Sequence, residues 1–375
     1  MRIGIIKEEQ DARVAIIPEV AKKIKEEGND ILVEKDAGAL SFYTDQDYET
    51  AGATILSQDE ILKESEVIIS IHPLSEEALA KASGKMVISS FQPFADAQIL
   101  DKLNAAKVSA MSLDMIPRIT IAQAMDVLSS MASISGYLAV IEAAKRLPRY
   151  FPMLTTAAGS IPPSKILIIG AGVAGLQAIA TAKRLGAVVE AFDTRAASKE
   201  EVQSLGAKFV EVEGATDDKG AGGYAVEQSE EYKQKQKALI FEKITKADVV
   251  ITTAQLRGKP APKLVTKEML DKMKPGSVVV DLASSTGGNC EVTEDNKTVV
   301  YNHIYVIGNS ELAANMPMHA SQLYSKNIHN YIKTFIKEGK LELDFENEIV
   351  SSSCITHDGN ILYQNPIPKK EVEKQ

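Results

Sequence analysis

Apolar runs of strand length recur through the first 115 residues: Ile3-Gly4-Ile5-Ile6, Ile31-Leu32-Val33, Val67-Ile68-Ile69, Met86-Val87-Ile88 and Val108-Ser109-Ala110-Met111. Between them the apolar positions fall into helical spacing, as in Val20 to Glu27, Asp45 to Ala51 and Ala97 to Ala106. Alternation of this kind predicts βαβ units on a mostly parallel sheet. A longer helix is predicted from Ile121 to about Leu147, where Pro148 stops it. Thr120 and Gln123 have capping-box spacing at its start, and Ser135-Gly136 marks a place for a bend.

Residues 151 to 163 read as a loop ending in Pro162-Pro163. A second βα series follows from Lys165 to about Ser310, with strands expected at 166–169, 188–192, 208–212, 248–252, 278–282 and 304–307. Gly214 to Tyr232 interrupts it with a Gly-rich, charged insertion that has little to bury, and reads as a mobile surface loop. Met318 to Glu338 is a second long helical pattern ending at Gly339. The tail holds strand-like runs at Glu348 to Ile355 and Asn360 to Tyr363, joined by the hairpin signal His357-Asp358-Gly359.

Composition narrows the function classes. The 375 residues are 45% hydrophobic and 25% charged, enough for two domains with separate cores. Forty-two Lys and Arg against 51 Asp and Glu give a net charge of -9, which disfavours nucleic acid and anionic membranes as partners. Cys290 and Cys354 lack the spacing of a zinc site or disulfide framework, so no metal is expected and a reducing cytosol suits the chain. The start, MRIGIIKEEQ, has no apolar core of a secretory signal. Ile166 to Ala182 runs 17 residues without a charge. Its β-branched run, glycines and alanine-rich stretch read as strand, turn and helix, so no direct membrane insertion is expected.

That segment carries the strongest chemical signal. Gly170-x-Gly172-x-x-Gly175 lies between a strand and a helix, with Asp193 at the end of the next strand. The first glycine makes the turn, the second admits a pyrophosphate and the third lets helix and strand pack closely. A helix N-terminus then offers free N–H groups to the phosphates. Asp193 would accept hydrogen bonds from the adenosine ribose and repel a 2′-phosphate, favouring NAD over NADP. Arg195 lies close enough to weaken that preference, though a solvated surface charge is its commoner role. One such fingerprint exists, so one dinucleotide per chain is expected. The predicted class is α/β: two Rossmann-like, doubly wound parallel-sheet domains, 1–125 plus 331–375 and 126–330, linked by two long helices, with a C-terminal β-hairpin.

A second cluster, Arg118, Gln123, Asp126 and Ser129, sits at the start of the first long helix, where three-residue spacing keeps the last three in one sector. It suits a carboxamide-bearing ring such as nicotinamide. It equally suits a cap, with Gln123 as the box partner and Asp126 as a first-turn acid. Neither the five histidines nor the two cysteines form a catalytic motif. Hydride transfer between two nicotinamides is a reaction that needs no protein acid or base.

The segments PRITIAQAMDVLSSMASISGY (Pro117 to Tyr137), IGAGVAGLQAIATAKRLGAVVEAFDTR (Ile169 to Arg195), AGGYA (Ala221 to Ala225), TTAQLRGKPAPKLVT (Thr252 to Thr266) and GSVVVDLASSTGGNCE (Gly276 to Glu291) resemble one known family. It comprises the soluble NAD(H)-binding part of proton-translocating NAD(P) transhydrogenases, in the alanine dehydrogenase/transhydrogenase superfamily. Chain length points to the split bacterial arrangement with a separate alpha-1 subunit. The resemblance implies NADH bound here, NADP(H) on a partner subunit, a homodimer, and alpha-2 and beta membrane subunits that hold the chain on the cytoplasmic face and move the proton. It implies Asp193, Thr194 and Arg195 at the adenosine ribose, and Val173, Ala174 and Gly175 at the pyrophosphate, beside the fingerprint glycines Gly170 and Gly172. Arg118, Gln123, Ala124, Met125, Asp126 and Ser129 would surround the nicotinamide, Gly223 and Tyr224 would lie on a loop folding over NAD(H), and Gln255 would make a further contact. Gln255 stands where the family commonly has an aliphatic residue, and Thr120-Ile121 replaces an expected Ser-Arg pair. The alternatives are an alanine dehydrogenase-like enzyme or a non-catalytic NAD sensor. Of alanine dehydrogenase's machinery, Arg13 matches the pyruvate-binding arginine, while Ser70, Gln92 and Ser285 replace its lysine, histidine and aspartate.

Overall fold

A computed structural model describes residues 1–96, 98–195, 197–211, 230–255 and 258–363. The chain divides into two compact units, Met1–Met131 with Ala314–Gln375, and Ala132–Ala313. Each is built on one sheet with buried residues on both faces.

In the first unit the parallel strands are β1 (Arg2–Ile5), β2 (Asp30–Glu34), β3 (Thr54–Leu56), β4 (Val67–Ile69), β5 (Met86–Ser89) and β6 (Ser109–Ser112). Their spatial order is 3-2-1-4-5-6, and the antiparallel hairpin Cys354–His357/Asn360–Ile361 extends the sheet beyond β6. Ile3, Ile5, Val67, Ile69 and Ile88 face the helices Pro18–Glu26 and Pro317–Ile332. Ile68, Val87 and Ala110 face the helices Gln58–Glu64, Glu76–Lys81 and Gln98–Ala105. Two covered faces explain why these strands read as continuous apolar runs.

The second unit has a small hairpin of β7 (Leu154–Thr156) and β8 (Gly159–Ile161) after the helix Val127–Arg146, in a stretch expected to be loop. Its main sheet contains β9 (Lys165–Ile169), β10 (Val188–Phe192), β11 (Lys208–Phe209), β12 (Val249–Thr252), β13 (Val278–Asp281), β14 (Lys297–Tyr301) and β15 (Ile304–Gly308). The order is 11-10-9-12-13-15-14, with only β14 antiparallel. Ile166, Ile168, Ile251 and Val280 pack with Ala139, Val140 and Ala143 of the Val127–Arg146 helix and with Ala178 and Ile179 of the Val173–Arg184 helix. Leu167, Ile169, Val250 and Val279 pack on the opposite face with Ile240, Ile244, Met269 and Leu270. Both sheets therefore have doubly wound order, with a switch point beside their first strand.

Several boundaries differ from expectation. The first long helix starts at Val127, because Thr120–Met125 forms a 3-10 turn with no side-chain cap, and the Thr120/Gln123 box does not form. Twenty residues and few charges make this helix long and apolar enough to cross a membrane. Ala139, Val140 and Ala143 are fully buried in the second core, while most of the helix is half-buried or exposed. The second long helix ends at Ile332, and Glu338 and Gly339, both at positive φ, turn the short hairpin Ile336–Lys337/Lys340–Leu341. Glu348–Ser353, expected as strand, is a helix capped by Asn347, whose side chain accepts the Ile349 N–H at 2.9 Å. Its buried Ile349, Val350 and Ser353 follow helical spacing. Cys290 and Cys354 are both buried, and burial pushes their thiols up to about 11 and about 12.

The carboxyl ends of β1 and β4 are closed by the unit's own side chains. Glu8 accepts the N–H groups of Ile71 at 2.6 Å and His72 at 3.2 Å. Asp11 accepts the Arg13 backbone N–H and Nε, each at 2.9 Å, pairs with the same guanidinium through Nη2, and lies 2.9 Å from His72 Nε2. Burial raises the Asp11 carboxyl, but hydrogen bonds from His72 and Arg13 with the Arg13 charge outweigh it and hold the pKa well below the usual range. Such a group stabilises the fold fully above its unfolded pKa of about 3.9 and loses that contribution as pH falls toward the folded value. Asp11→Asn removes the carboxylate charge facing buried Arg13 and is expected to cost about 3 kcal/mol at pH 7. Urea unfolding checks this. The difference from wild type should shrink below about pH 4, and a pH-independent difference would refute the assignment.

Candidate functional site

Local sequence builds the mouth of the second sheet. β9 ends at Ile169, and Gly170 turns the chain at φ +100°. A Cβ there would meet Thr253 Oγ1 at 2.4 Å. Gly172 is the N-cap of the Val173–Arg184 helix, with no side chain capping it and open space where its Cβ would project. Gly175 is packed so closely that a Cβ would lie 1.9 Å from the Gly170 carbonyl oxygen. The three glycines thus serve turn, open approach and close packing, and the helix presents an uncapped first turn.

Asp193 closes the loop from β10. Its Oδ2 accepts the Ala171 N–H at 2.7 Å, and its Oδ1 accepts the Arg195 N–H at 2.8 Å. Arg195 grips the same carboxylate with Nε and Nη2, both at 2.9 Å. Arg195 is therefore a partly buried partner of Asp193 and not a solvated surface charge. Burial tends to raise the Asp193 pKa, but the hydrogen bonds from Arg195 and Ala171 together with the Arg195 charge bring it below the usual range. Thr194 is half-buried beside them.

β12 delivers the other wall. The Thr253 hydroxyl donates to the Gly170 carbonyl at 3.0 Å. Fully buried Asn289 accepts the Ala254 N–H at 3.1 Å and donates to the carbonyls of Ala254 and Pro262, each at 2.9 Å. Gln255 is exposed and donates to the Leu282 carbonyl at 3.3 Å. Sequence reading passed over Thr253 and Asn289. The end of β12 flanks β9 at the switch point, which is the signal that would have found Thr253.

These features fit a dinucleotide diphosphate: open space at the glycine N-cap, uncapped N–H groups, and a carboxylate one strand away. Val173 and Ala174 stand in the first turn, Val173 exposed. Gly223 and Tyr224 lie outside the described residues.

The second cluster belongs to the first unit. Arg118, Gln123 and Ala124 are exposed, and Met125, Asp126 and Ser129 are half-buried. Gln123 lies in the 3-10 turn, so it does not share a helix face with Asp126 and Ser129. Those two do meet: Asp126 accepts the Ser129 N–H at 2.9 Å and hydroxyl at 2.6 Å, capping the helix that Thr120 was expected to cap. The turn is fixed by buried Ala122 and by the Ala124 carbonyl, which accepts Asn327 at 2.9 Å and Asn330 at 3.1 Å.

Known proteins carry the same two-part organisation. Residues 4–135 match the family "Alanine dehydrogenase/PNT, N-terminal domain" and residues 139–364 match "Alanine dehydrogenase/PNT, C-terminal domain". The Rhodospirillum rubrum chain named as the first part of NAD(P) transhydrogenase subunit alpha is 43% identical over 97% of this chain and 98% of its own length. The NAD(P) transhydrogenase subunit alpha of Haemophilus influenzae is 44% identical over 100% of this chain and 74% of its own. A crystal structure of transhydrogenase from Sinorhizobium meliloti superposes with a TM-score of 0.85 at 40% identity, covering 97% of this chain and 99% of that one. The chain thus belongs to the alanine dehydrogenase/PNT family, on its transhydrogenase alpha-subunit branch.

Proposed function

We propose that this chain binds NAD(H) in its second unit and exchanges hydride directly with NADP(H) on a partner subunit, as the NAD(H)-binding catalytic subunit of a proton-translocating transhydrogenase. The observation that carries this reading is the uncapped helix start at Gly172, open where a Cβ would be, with Asp193 tied to the same loop through Ala171. First-turn N–H groups would take the diphosphate, and Asp193 with Thr194 would take the adenosine ribose. Arg195 would hold the Asp193 carboxylate in place through its fork. Bound nicotinamide supplies the hydride chemistry. Arg118, Gln123, Ala124, Met125, Asp126 and Ser129 would hold its ring and ribose, and the exposure of Arg118 and Gln123 supports a ring that a second protein can reach. Gln255 and the Gly223-Tyr224 loop would complete the contacts. Proton movement would belong to the alpha-2 and beta membrane subunits. The chain, a homodimer, would be held by them at the cytoplasmic face, since its charge of -9 opposes adsorption on an anionic bilayer.

The rival of an amino-acid dehydrogenase needs an arginine for the substrate carboxylate and a proton relay. Arg13 is gripped by Asp11, Ser70 is buried with its hydroxyl on the His72 carbonyl at 2.7 Å, and Gln92 and Ser285 are exposed and not titratable. This arrangement supports the hydride-exchange reading.

Calorimetric titration should find one NADH per chain and weaker binding of NADPH, by about tenfold, equivalent to about 1.4 kcal/mol. Asp193→Ala should weaken NADH by about tenfold or more through lost hydrogen bonds to a charged acceptor, while narrowing the preference over NADPH. Equal affinity of wild type for both cofactors would overturn the specificity reading. Mixed with the NADP-binding domain of a transhydrogenase beta subunit, the chain should reduce an NADP analogue at the expense of NADH. Turnover of alanine with NAD by the chain alone, or no hydride exchange in the mixture, would refute the proposed activity.

A further inference from the structure

We propose that Gly136 is a positioning residue for the dinucleotide's diphosphate, an inference that rests on the NAD(H) reading and acts within the second unit. Gly136 sits in the interior of the Val127–Arg146 helix, where glycine costs about 1 kcal/mol relative to alanine. Its packing shows what the missing side chain permits. A Cβ at Gly136 would lie 2.1 Å from the carbonyl oxygen of Ala174, 2.8 Å from its carbonyl carbon and 3.0 Å from its Cα.

Ala174 is the second residue of the Val173–Arg184 helix, so its N–H belongs to the uncapped first turn. The same turn is pressed against the Gly170 carbonyl through Gly175. Two glycine contacts therefore fix it, one inside the fingerprint and one far outside it. A methyl group at 136 must displace the Ala174 backbone by about 1 Å, enough to spoil aligned N–H donors. The three atoms nearest a Cβ at 136 all belong to Ala174, whereas Asp193 is held through Ala171 and Arg195, so the adenosine end of the site should be spared.

The test is competitive titration of the full chain and its Gly136→Ala variant with NADH, ADP-ribose and adenosine. The variant should bind NADH and ADP-ribose about tenfold more weakly, while adenosine, which has no diphosphate, changes by less than about twofold. Adding Ala174→Gly, which gives the first turn backbone freedom, should restore part of the lost NADH affinity. Unchanged NADH binding by Gly136→Ala overturns the proposal, as does parallel weakening of all three ligands. Should Gly136→Ala not fold, the double variant replaces it: diphosphate-selective loss relative to Ala174→Gly alone supports the role, and equality overturns it. Failure of the wild-type chain to bind NADH would instead sink the NAD(H) reading, and this inference with it.

Discussion

A helix can start directly against the end of a strand only where backbone is allowed closer than any side chain permits. Gly175 meets the Gly170 carbonyl under that condition, and the mouth of the second sheet is organised around it. Because the helix starts so close, its first-turn N–H groups point out at the carboxyl end of β9 instead of being covered by a connecting loop. Asp193 can then reach Ala171, Thr253 can reach Gly170, and Asn289 can fix Ala254 beside them. Replace the close contact by a methyl group and each of these bonds loses its reference point.

Electrostatics follows from the same placement. Asp193 is largely desolvated, which alone would favour the neutral acid, yet donors from Arg195 and Ala171 and the Arg195 charge reverse the sign. An ionised, hydrogen-bonded carboxylate is pre-organised as an acceptor, with little reorganisation left to do on binding. Its pairing with Arg195 also offsets its charge, so the carboxylate presents ordered acceptors with little net repulsion.

Much of this was legible because its determinants are local. The fingerprint, its strand and its helix occupy consecutive residues, and alternating apolar runs announced both doubly wound sheets. What escaped depended on partners distant in sequence or on competition between near-equivalent signals. Thr120 and Asp126 both lie where a cap could form, and Asp126 won because Ser129 supplies both a backbone and a hydroxyl donor. Glu348 to Ser353 carries residues suited to a strand, but Asn347 before it can cap a helix and does. β14 escaped although its Val299-Val300-Tyr301 is as long an apolar run as Ile31-Leu32-Val33, and its edge position leaves every residue exposed or half-buried. Gly136 read as a bend, since nothing local betrays that Ala174 is its neighbour. Arg195 read as a charge able to weaken the NAD preference or as a solvated surface charge, and local sequence did not show that it folds back onto Asp193.

The two sheets share one strand order and differ in how their mouths are filled. In the first, Glu8 takes the N–H groups of Ile71 and His72, while Asp11 takes Arg13. Those carboxylates satisfy the donors of this mouth from within the unit. In the second, the N–H groups of the helix that starts after Gly172 have no side-chain cap. A few acidic side chains at the end of a strand are thus enough to give two sheets of like order mouths of opposite character: one closed on its own cations and amides, the other with its helix start uncapped.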